Sequence, residues 1–502
     1  MSTSVLVGRR RRALGAVALG VLFALPTGAA VRAQSLEQAL ARAYSSNPTL
    51  NSQRAQVRAT DEQVPQALSG YRPQINASAD IGAQRQVLVG TASALSSSSG
   101  SVGGGTGGGV ITTPDAAAAA AGSANSNRKL HLGETSYPRG YGITADQTIF
   151  NGFRRQNQLG TAESNVLAAR ENLRNSEQNV LFDAAQSYMD VLRDYAILDV
   201  RRNNVDVLKE ELRAANERFQ VGEVTRTDTA QAEAALQGAH TAVSQAESQL
   251  NTSRATYRQT VGEDIGRPRP AKSIDKLLPK NLPQAIDLSQ AQHPAILAAF
   301  HGVDAANLQI RVFEGALLPS LGVEGSLNRG YDAGGRGVRV DVAAVTARLT
   351  VPIYQGGSEY SAVREAKETA GQRRLDADVA RDQVRQATVS AWGQLQAATA
   401  QISSAQSQIQ ASQTALNGVR EEAKVGQRTT LDVLNAQQDL LNARVTLIQA
   451  QRDRVVAAYA LLSAVGWLNA NRLSLNVVRY DPNVHYDQVR DKWFGLRTPD
   501  GR

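Results

Sequence analysis

Residues 75–84 read INASADIGAQ, with Ile75, Ala77, Ala79, Ile81 and Ala83 on one face and Asn76, Ser78, Asp80 and Gln84 on the other. Alternation of this kind marks a β-strand with one apolar face. Residues 141–150 repeat the pattern less cleanly: Tyr141, Ile143, Ala145 and Ile149 stand against Thr144, Asp146 and Thr148, Gln147 interrupts the apolar face, and Phe150 ends the run. Leu321, Val323 and Leu327 alternate with Glu324, Ser326 and Asn328. A fourth segment, 338–354, alternates but changes phase near Ala343, where a bulge or an exit from the sheet is expected. Strands of about ten residues with this pattern match outer-membrane strands, although alternation alone also suits an ordinary half-buried sheet. Four strands cannot close a cylinder, because even small barrels need about eight. An inserted sheet of this size must be completed by other chains, as a dimer with eight strands, a trimer with twelve or a tetramer with sixteen.

The strands belong to two copies of one unit. Asn47-Pro48 recurs as His293-Pro294, and Pro73 as Pro319, both 246 positions on. Phe150-Asn151-Gly152 recurs as Tyr354-Gln355-Gly356 at a spacing of 204, and the same offset relates Val221-Gly222 to Val425-Gly426, Asp228 to Asp432, and Val261-Gly262 to Val465-Gly466. The offset changes once, by 42 residues, between Pro73 and Phe150, where the chain runs SSSSGSVGGGTGGG and later DAAAAAAGSANSN. Gly/Ser/Ala sequence of this complexity buries too little apolar surface to fold, so residues 85–138 read as a flexible surface loop. The first repeat then spans 34–262 and the second 284–466, with a linker at 263–283 and a tail at 467–502.

Each hairpin precedes a very long proline-free helical pattern, Phe153 to Gln220 and Ser358 to Lys424, about 100 Å each at ~1.5 Å per residue. Leu159, Val166, Leu173 and Val180 repeat every seven residues; after a step of eleven, Val191, Leu198, Val205, Leu212 and Phe219 do so again. Seven plus four is a stutter in a coiled coil. Val363, Ala370, Ala377 and Val384, then Leu395, Ile402, Ile409, Leu416 and Ala423, carry the pattern in the second copy. Shorter helices at roughly 36–70, 228–261, 284–317 and 432–465 are sized so that two, end to end, run antiparallel to one long helix.

The chain begins with Arg9 to Arg12, an apolar run from Ala13 to Pro26 and the small-residue site Val31-Arg32-Ala33, which reads as a signal peptide over 1–33. That run is shorter than the ~20 residues of a membrane-spanning helix, so cleavage before Gln34 is expected. Cleavage would remove five arginines and lower the formal net charge from +8 to +3, leaving no case for a nucleic-acid partner. With no cysteine, the exported chain has neither disulfide nor thiol chemistry. His131, His240, His293, His301 and His485 lack metal-ligand spacing, and GGGTGGG lacks the Lys-Ser/Thr context of a phosphate loop, so neither a cofactor nor an enzyme activity is expected. Trp467 suits packing at the end of the second repeat.

In these residues the chain resembles the TolC family of outer-membrane channels. SSNPTL at 45–50, RPQINASADIG at 72–82, DQTIFNGF at 146–153, RFQVGEVTRTD at 218–228, LTVPIYQGG at 349–357 and KVGQRTTLDVL at 424–434 stand in the family's order. The resemblance covers nearly all of 35–470. It implies an α+β membrane protein: a homotrimer whose twelve-stranded barrel, four strands per chain, sits in the outer membrane and continues into a periplasmic helical coiled-coil tunnel. It also implies an inner-membrane pump and a periplasmic adaptor as partners, in drug efflux or type I protein secretion. A different reading is a periplasmic coiled-coil scaffold or adhesin tethered by the sheet; it would form no pore.

The chain reverses at Val221 to Thr227 and at Val425 to Thr430, where Gly222 and Gly426 suit left-handed turns. Thr227, Asp228 and Asp432 suit helix starts, a purely structural role. By resemblance, Thr227 and Asp228 of one tip bond Arg428 of the other and hold the mouth shut, without the tyrosine the family often places where this chain has Ala423. Asp432 and Asn435, three apart, share a helix face that the resemblance points at the lumen. The family commonly has two acidic rings there; this chain would have one, favouring cations with half the fixed charge.

Overall fold

A computed structural model describes residues 34–91, 129–332 and 337–501. The expected signal segment and residues 92–128 of the low-complexity stretch lie outside them. Each half of the chain runs short helices, strands, a long helix and a returning helix. In the first half these are α1 (Leu36–Ser46), α2 (Pro48–Asp61), α3 (Gln63–Ser69), β1 (Gln74–Ile81), β2 (Gln84–Thr91), β3 (Lys129–Ser136), β4 (Arg139–Asn151), α4 (Arg154–Gln220) and α5 (Arg226–Val261). The second half contains α6 (Leu282–Gln292), α7 (Pro294–Glu314), β5 (Ser320–Tyr331), β6 (Arg339–Thr350), α8 (Ser358–Lys424) and α9 (Thr430–Ala464), and the tail forms α10 (Pro482–Val489). No described helix is long and apolar enough to cross a membrane.

The principal sheet has the order β1-β4-β5-β6, all antiparallel. Its register sets Ile75 beside Ala145, Ala77 beside Ile143, Ile143 beside Leu327, Leu327 beside Ala343, and Gly325 beside Val345. Directly opposed residues share a face, so one side of the sheet is an apolar band and the other carries Asn76, Ser78, Thr144, Ser326 and Thr346. Among the described residues nothing covers the apolar side: Ile75 is 70% exposed, Leu327 62% and Val345 81%. Among the described residues, β1 and β6 are both open edges.

Two expectations about the strands need correction. The strand at 338–354 has no bulge near Ala343; the β5–β6 ladder is unbroken from Ser320↔Thr350 to Tyr331↔Arg339. Its phase changes in sequence because the outer third of the apolar face carries Arg339 and Asp341 while Val340 and Val342 take the opposite face. The bulge lies in β4, where Thr148 pairs with Gly322 and Phe150 with Leu321, leaving Ile149 extra. That extra residue returns Phe150 to the apolar face after Gln147 has broken it. Nor is all of 85–138 a loop: Gln84–Thr91 and Lys129–Ser136 pair without slippage as a second, two-stranded sheet, so the low-complexity composition stops short of both arms.

The long helices are 67 residues each. Helix α4 packs against α1, α2 and α3 along one half and α5 along the other, and α8 packs likewise against α6, α7 and then α9. End-to-end stacking is fastened at matching joints. Asn47 caps α2 and donates from Nδ2 to the Thr260 carbonyl (2.8 Å), while Ser46 donates to the Val261 carbonyl (3.1 Å). In the second half, His293 caps α7 beside Gly466, whose added Cβ would stand 3.0 Å from the His293 Cα. Along α8 the buried sevens run on through Ala391, Ala398 and Ala405 before an eleven-residue step to Leu416. Leu395, Ile402 and Ile409, expected as the buried series, form the half-exposed partner row, each four residues after a buried alanine. The Ala rows allow close backbone approach.

The largest core sits at the waist, where α1, α2, α4 and α5 meet the linker and tail. Tyr188 and Tyr257 are fully buried there, their ring centroids 6.3 Å apart. Tyr188 Oη accepts the Arg269 amide (2.9 Å), and Tyr257 donates to Gln34 Oε1 (3.1 Å). The tail closes over this core: His485 Nδ1 lies 3.0 Å from buried Asp61 Oδ2, and the Tyr480 amide donates to Tyr44 Oη (3.2 Å). Trp467 packs here too, donating Nε1–H to Gln292 Oε1 (2.9 Å).

Candidate gate at the helical tips

The chain turns back at both tips through one motif. In the first, Gly222 (φ 84°) adopts the left-handed conformation, its amide donating to the Phe219 carbonyl (3.0 Å) and that of Glu223 to Arg218 (2.9 Å). Gly426 (φ 78°) does the same in the second, with Gln427 donating to the Glu422 carbonyl (3.0 Å). Such bonds satisfy the carbonyls left unpaired where a helix ends.

The next helix starts with a capping box in each tip. Thr225 and Thr429 are the N-caps, and Asp228 and Asp432 occupy the third helical position. Asp228 Oδ2 accepts from the Thr225 amide (2.9 Å) and hydroxyl (2.7 Å); Asp432 Oδ2 accepts from the Thr429 amide and hydroxyl, both at 2.9 Å. These bonds hold both carboxyls below their usual range, the hydroxyl acting most strongly at Asp228 and the amide at Asp432. The N-caps are thus Thr225 and Thr429, upstream of the expected Thr227, Asp228 and Asp432. The spacing Thr-x-x-Asp was the available signal.

Within one protomer Arg428 turns toward its own hairpin, donating from Nε to Glu422 Oε2 (2.9 Å), so it is not brought together with Thr227 or Asp228. The tie between hairpins is made elsewhere. Arg420 on α8 donates from Nη2 to Glu211 Oε1 on α4 (2.7 Å) and to Gln437 Oε1 on α9 (3.2 Å). The Arg420 and Glu211 side chains are 35% and 29% exposed, and Gln437 is buried. No periodicity joins positions 209 residues apart, so this contact was not legible. Asn435 is exposed and Asp432 half-exposed, one turn into α9. Among the described residues, no three His, Cys, Asp or Glu gather as a metal site.

At its other end each long helix leaves the sheet through a left-handed corner, Gly152-Phe153 before α4 and Gly356-Gly357 before α8. Gly152 and Gly315 cross so closely that a Cβ on either would run into the other's carbonyl.

The model of the family described as outer membrane efflux protein matches residues 114–263 and 285–467. The chain is 41% identical over 481 residues to the outer membrane efflux protein BepC of Brucella suis, covering 95% of each. It is 24% identical over 327 residues to the outer membrane protein TolC of Vibrio cholerae, covering 62% of this chain and 73% of that one. In structure it is similar to the Campylobacter jejuni CmeC outer membrane channel, with a TM-score of 0.71 over 91% of this chain and 89% of that one. At 17% identity, that likeness concerns the fold.

Proposed function

Because this chain belongs to the outer membrane efflux protein family, we propose that three copies assemble into one exit duct across the outer membrane. The observation that carries this is the uncovered sheet. Four antiparallel strands with an exposed apolar face and two unpaired edges are unstable in water and have no hydrogen-bonding partners in lipid. Pairing β6 of each subunit with β1 of the next removes every edge, turns the apolar band toward lipid and leaves the Asn/Ser/Thr face on the lumen. Three sheets make a twelve-stranded barrel, and the six long-helix columns continue it as a periplasmic tunnel.

The protein is an outer-membrane channel of an efflux family, a transporter. The duct is passive: a periplasmic adaptor and an inner-membrane pump dock at the tips and supply energy and cargo, either small molecules or a secreted protein. Asp432 contributes one ring of three carboxylates at the mouth and attracts cations, with Asn435 adding polarity but no charge. Arg420–Glu211 holds the two hairpins of each subunit together, and Arg428 is free to exchange Glu422 for Asp228 of a neighbouring subunit.

Purified protein in a planar bilayer tests this reading. Discrete conductance steps are expected; material that leaves the bilayer silent would instead support the tethered scaffold.

A further inference from the structure

The outward face of the sheet changes character at the end farthest from the helices. Moving outward from the row Ile143, Leu327 and Ala343, the next row on that face is Tyr141, Arg329 and Asp341, and the one beyond is Arg139, Tyr331 and Arg339. Arg329 donates from Nε to Asp341 Oδ1 (2.6 Å) and from Nη1 to Tyr141 Oη (3.3 Å), while Arg339 Nε donates to Asp341 Oδ2 (3.0 Å). The Arg139 guanidinium lies over the Tyr331 ring, 5.4 Å from its centroid. Two of the three guanidinium groups, those of Arg329 and Arg339, share one carboxylate, and the third, that of Arg139, has none, so the cluster carries a formal excess of two positive charges.

We propose that this cluster binds the anionic phosphate of an outer-leaflet lipid headgroup, held between Arg139 and Arg339 with Tyr331 beside it. The inference rests on the barrel reading, which fixes what surrounds this face. Two residues further along a strand is about 7 Å, so on a tilted strand the two rows stand roughly 5 and 10 Å beyond the apolar band, at headgroup depth. Arginine presents a planar fork that grips phosphate oxygens in pairs, and tyrosine rings are at home at this interface. A surplus cation on a lipid-facing surface is costly until it finds an anion, and at this depth the membrane supplies phosphate. All six side chains come from one subunit, so the site is complete in each protomer.

The test uses the detergent-purified trimer, with lipid A carrying its phosphates and the same glycolipid dephosphorylated as probes, and inorganic phosphate as a third arm. Phosphorylated lipid should raise the trimer's thermal midpoint, while dephosphorylated lipid and inorganic phosphate should not. The paired substitution Arg139→Gln and Arg339→Gln should weaken apparent lipid affinity about tenfold or more while leaving single-channel conductance unchanged. Equal responses to both lipids in the unaltered protein would overturn the proposal without any variant, as would full lipid response in the double variant. Conductance recorded on the same preparations separates the two claims. Pores without lipid discrimination sink only the lipid site, whereas absence of pores sinks the barrel reading beneath it.

Discussion

Replacing Arg420 with alanine should loosen the periplasmic mouth. Arg420 Nη2 reaches Glu211 Oε1 at 2.7 Å and Gln437 Oε1 at 3.2 Å, which ties α8 to both α4 and α9. A widening that moved the α8–α9 hairpin away from the α4–α5 hairpin would break that tie. Both charged partners are about one-third exposed, so solvent screening limits the bond to ~1 kcal/mol, between the value of a surface pair and that of a buried charged hydrogen bond. Three ties released together amount to ~3 kcal/mol, a shift of about a hundredfold in the open-to-closed ratio of a concerted gate. Single-channel recording at fixed voltage reads this as a rise in open fraction or in mean conductance. Arg420→Lys should recover part of the effect, because it keeps the charge and loses the fork. Glu211→Gln should act in the same direction, and combining it with Arg420→Ala should add little, since both remove one bond. An open fraction unchanged in Arg420→Ala, or full additivity in the double variant, would refute the tie as part of the gate.

Asp432→Asn should lower cation selectivity, read as a reversal potential closer to zero across a salt gradient, and Asn435→Asp should raise it by adding a second ring. Gly152→Ala should cost at least ~1–2 kcal/mol, since φ is 65° and the Gly315 carbonyl oxygen would stand only 2.2 Å from the added Cβ; the readout is a lower melting temperature of the trimer. Burial holds the His293 pKa down at about 4, and its Nδ1 accepts the Ala295 amide (3.2 Å), so the folded state needs the neutral ring. The unfolded chain takes up a proton near pH 6.5 and the folded chain only near 4. Stability is therefore full above about pH 6.5 and falls as pH drops toward 4, by on the order of 3 kcal/mol per subunit. His293→Asn, which keeps a capping side chain, should flatten that slope in denaturant titrations between pH 4 and 7.

The strands and long helices were legible because each buries, or offers to lipid, a single periodic face. Ile75 to Ala83 and the sevens of α4 state that face residue by residue. Where periodicity mixes two causes, the reading slipped. Near Ala343 the charges of the outer rim imitate a bulge, while the bulge at Ile149 looks like one misplaced glutamine. The second coiled-coil seam misled for a related reason: its buried row is alanine, and the larger Leu395, Ile402 and Ile409 beside it drew the assignment. At the tips, the turns were written in Gly222 and Gly426 and the caps in Thr-x-x-Asp, all local chemistry. Arg420 and Glu211 meet only because two hairpins from different repeats pack side by side, and no short-range pattern records that.

Completion of each subunit's sheet by its neighbours can be tested directly. The chain has no cysteine, so a pair introduced at Ala79 on β1 and at Asp341, Ala343, Val345 or Ala347 on β6 carries the only thiols, and opposed strand positions fall within disulfide reach. Oxidation in intact cells, followed by denaturing electrophoresis, should give monomer, dimer and trimer bands and nothing heavier for at least one of these registers. No cross-link at any register, or a ladder that stops at dimer or runs past trimer, would contradict the twelve-stranded barrel.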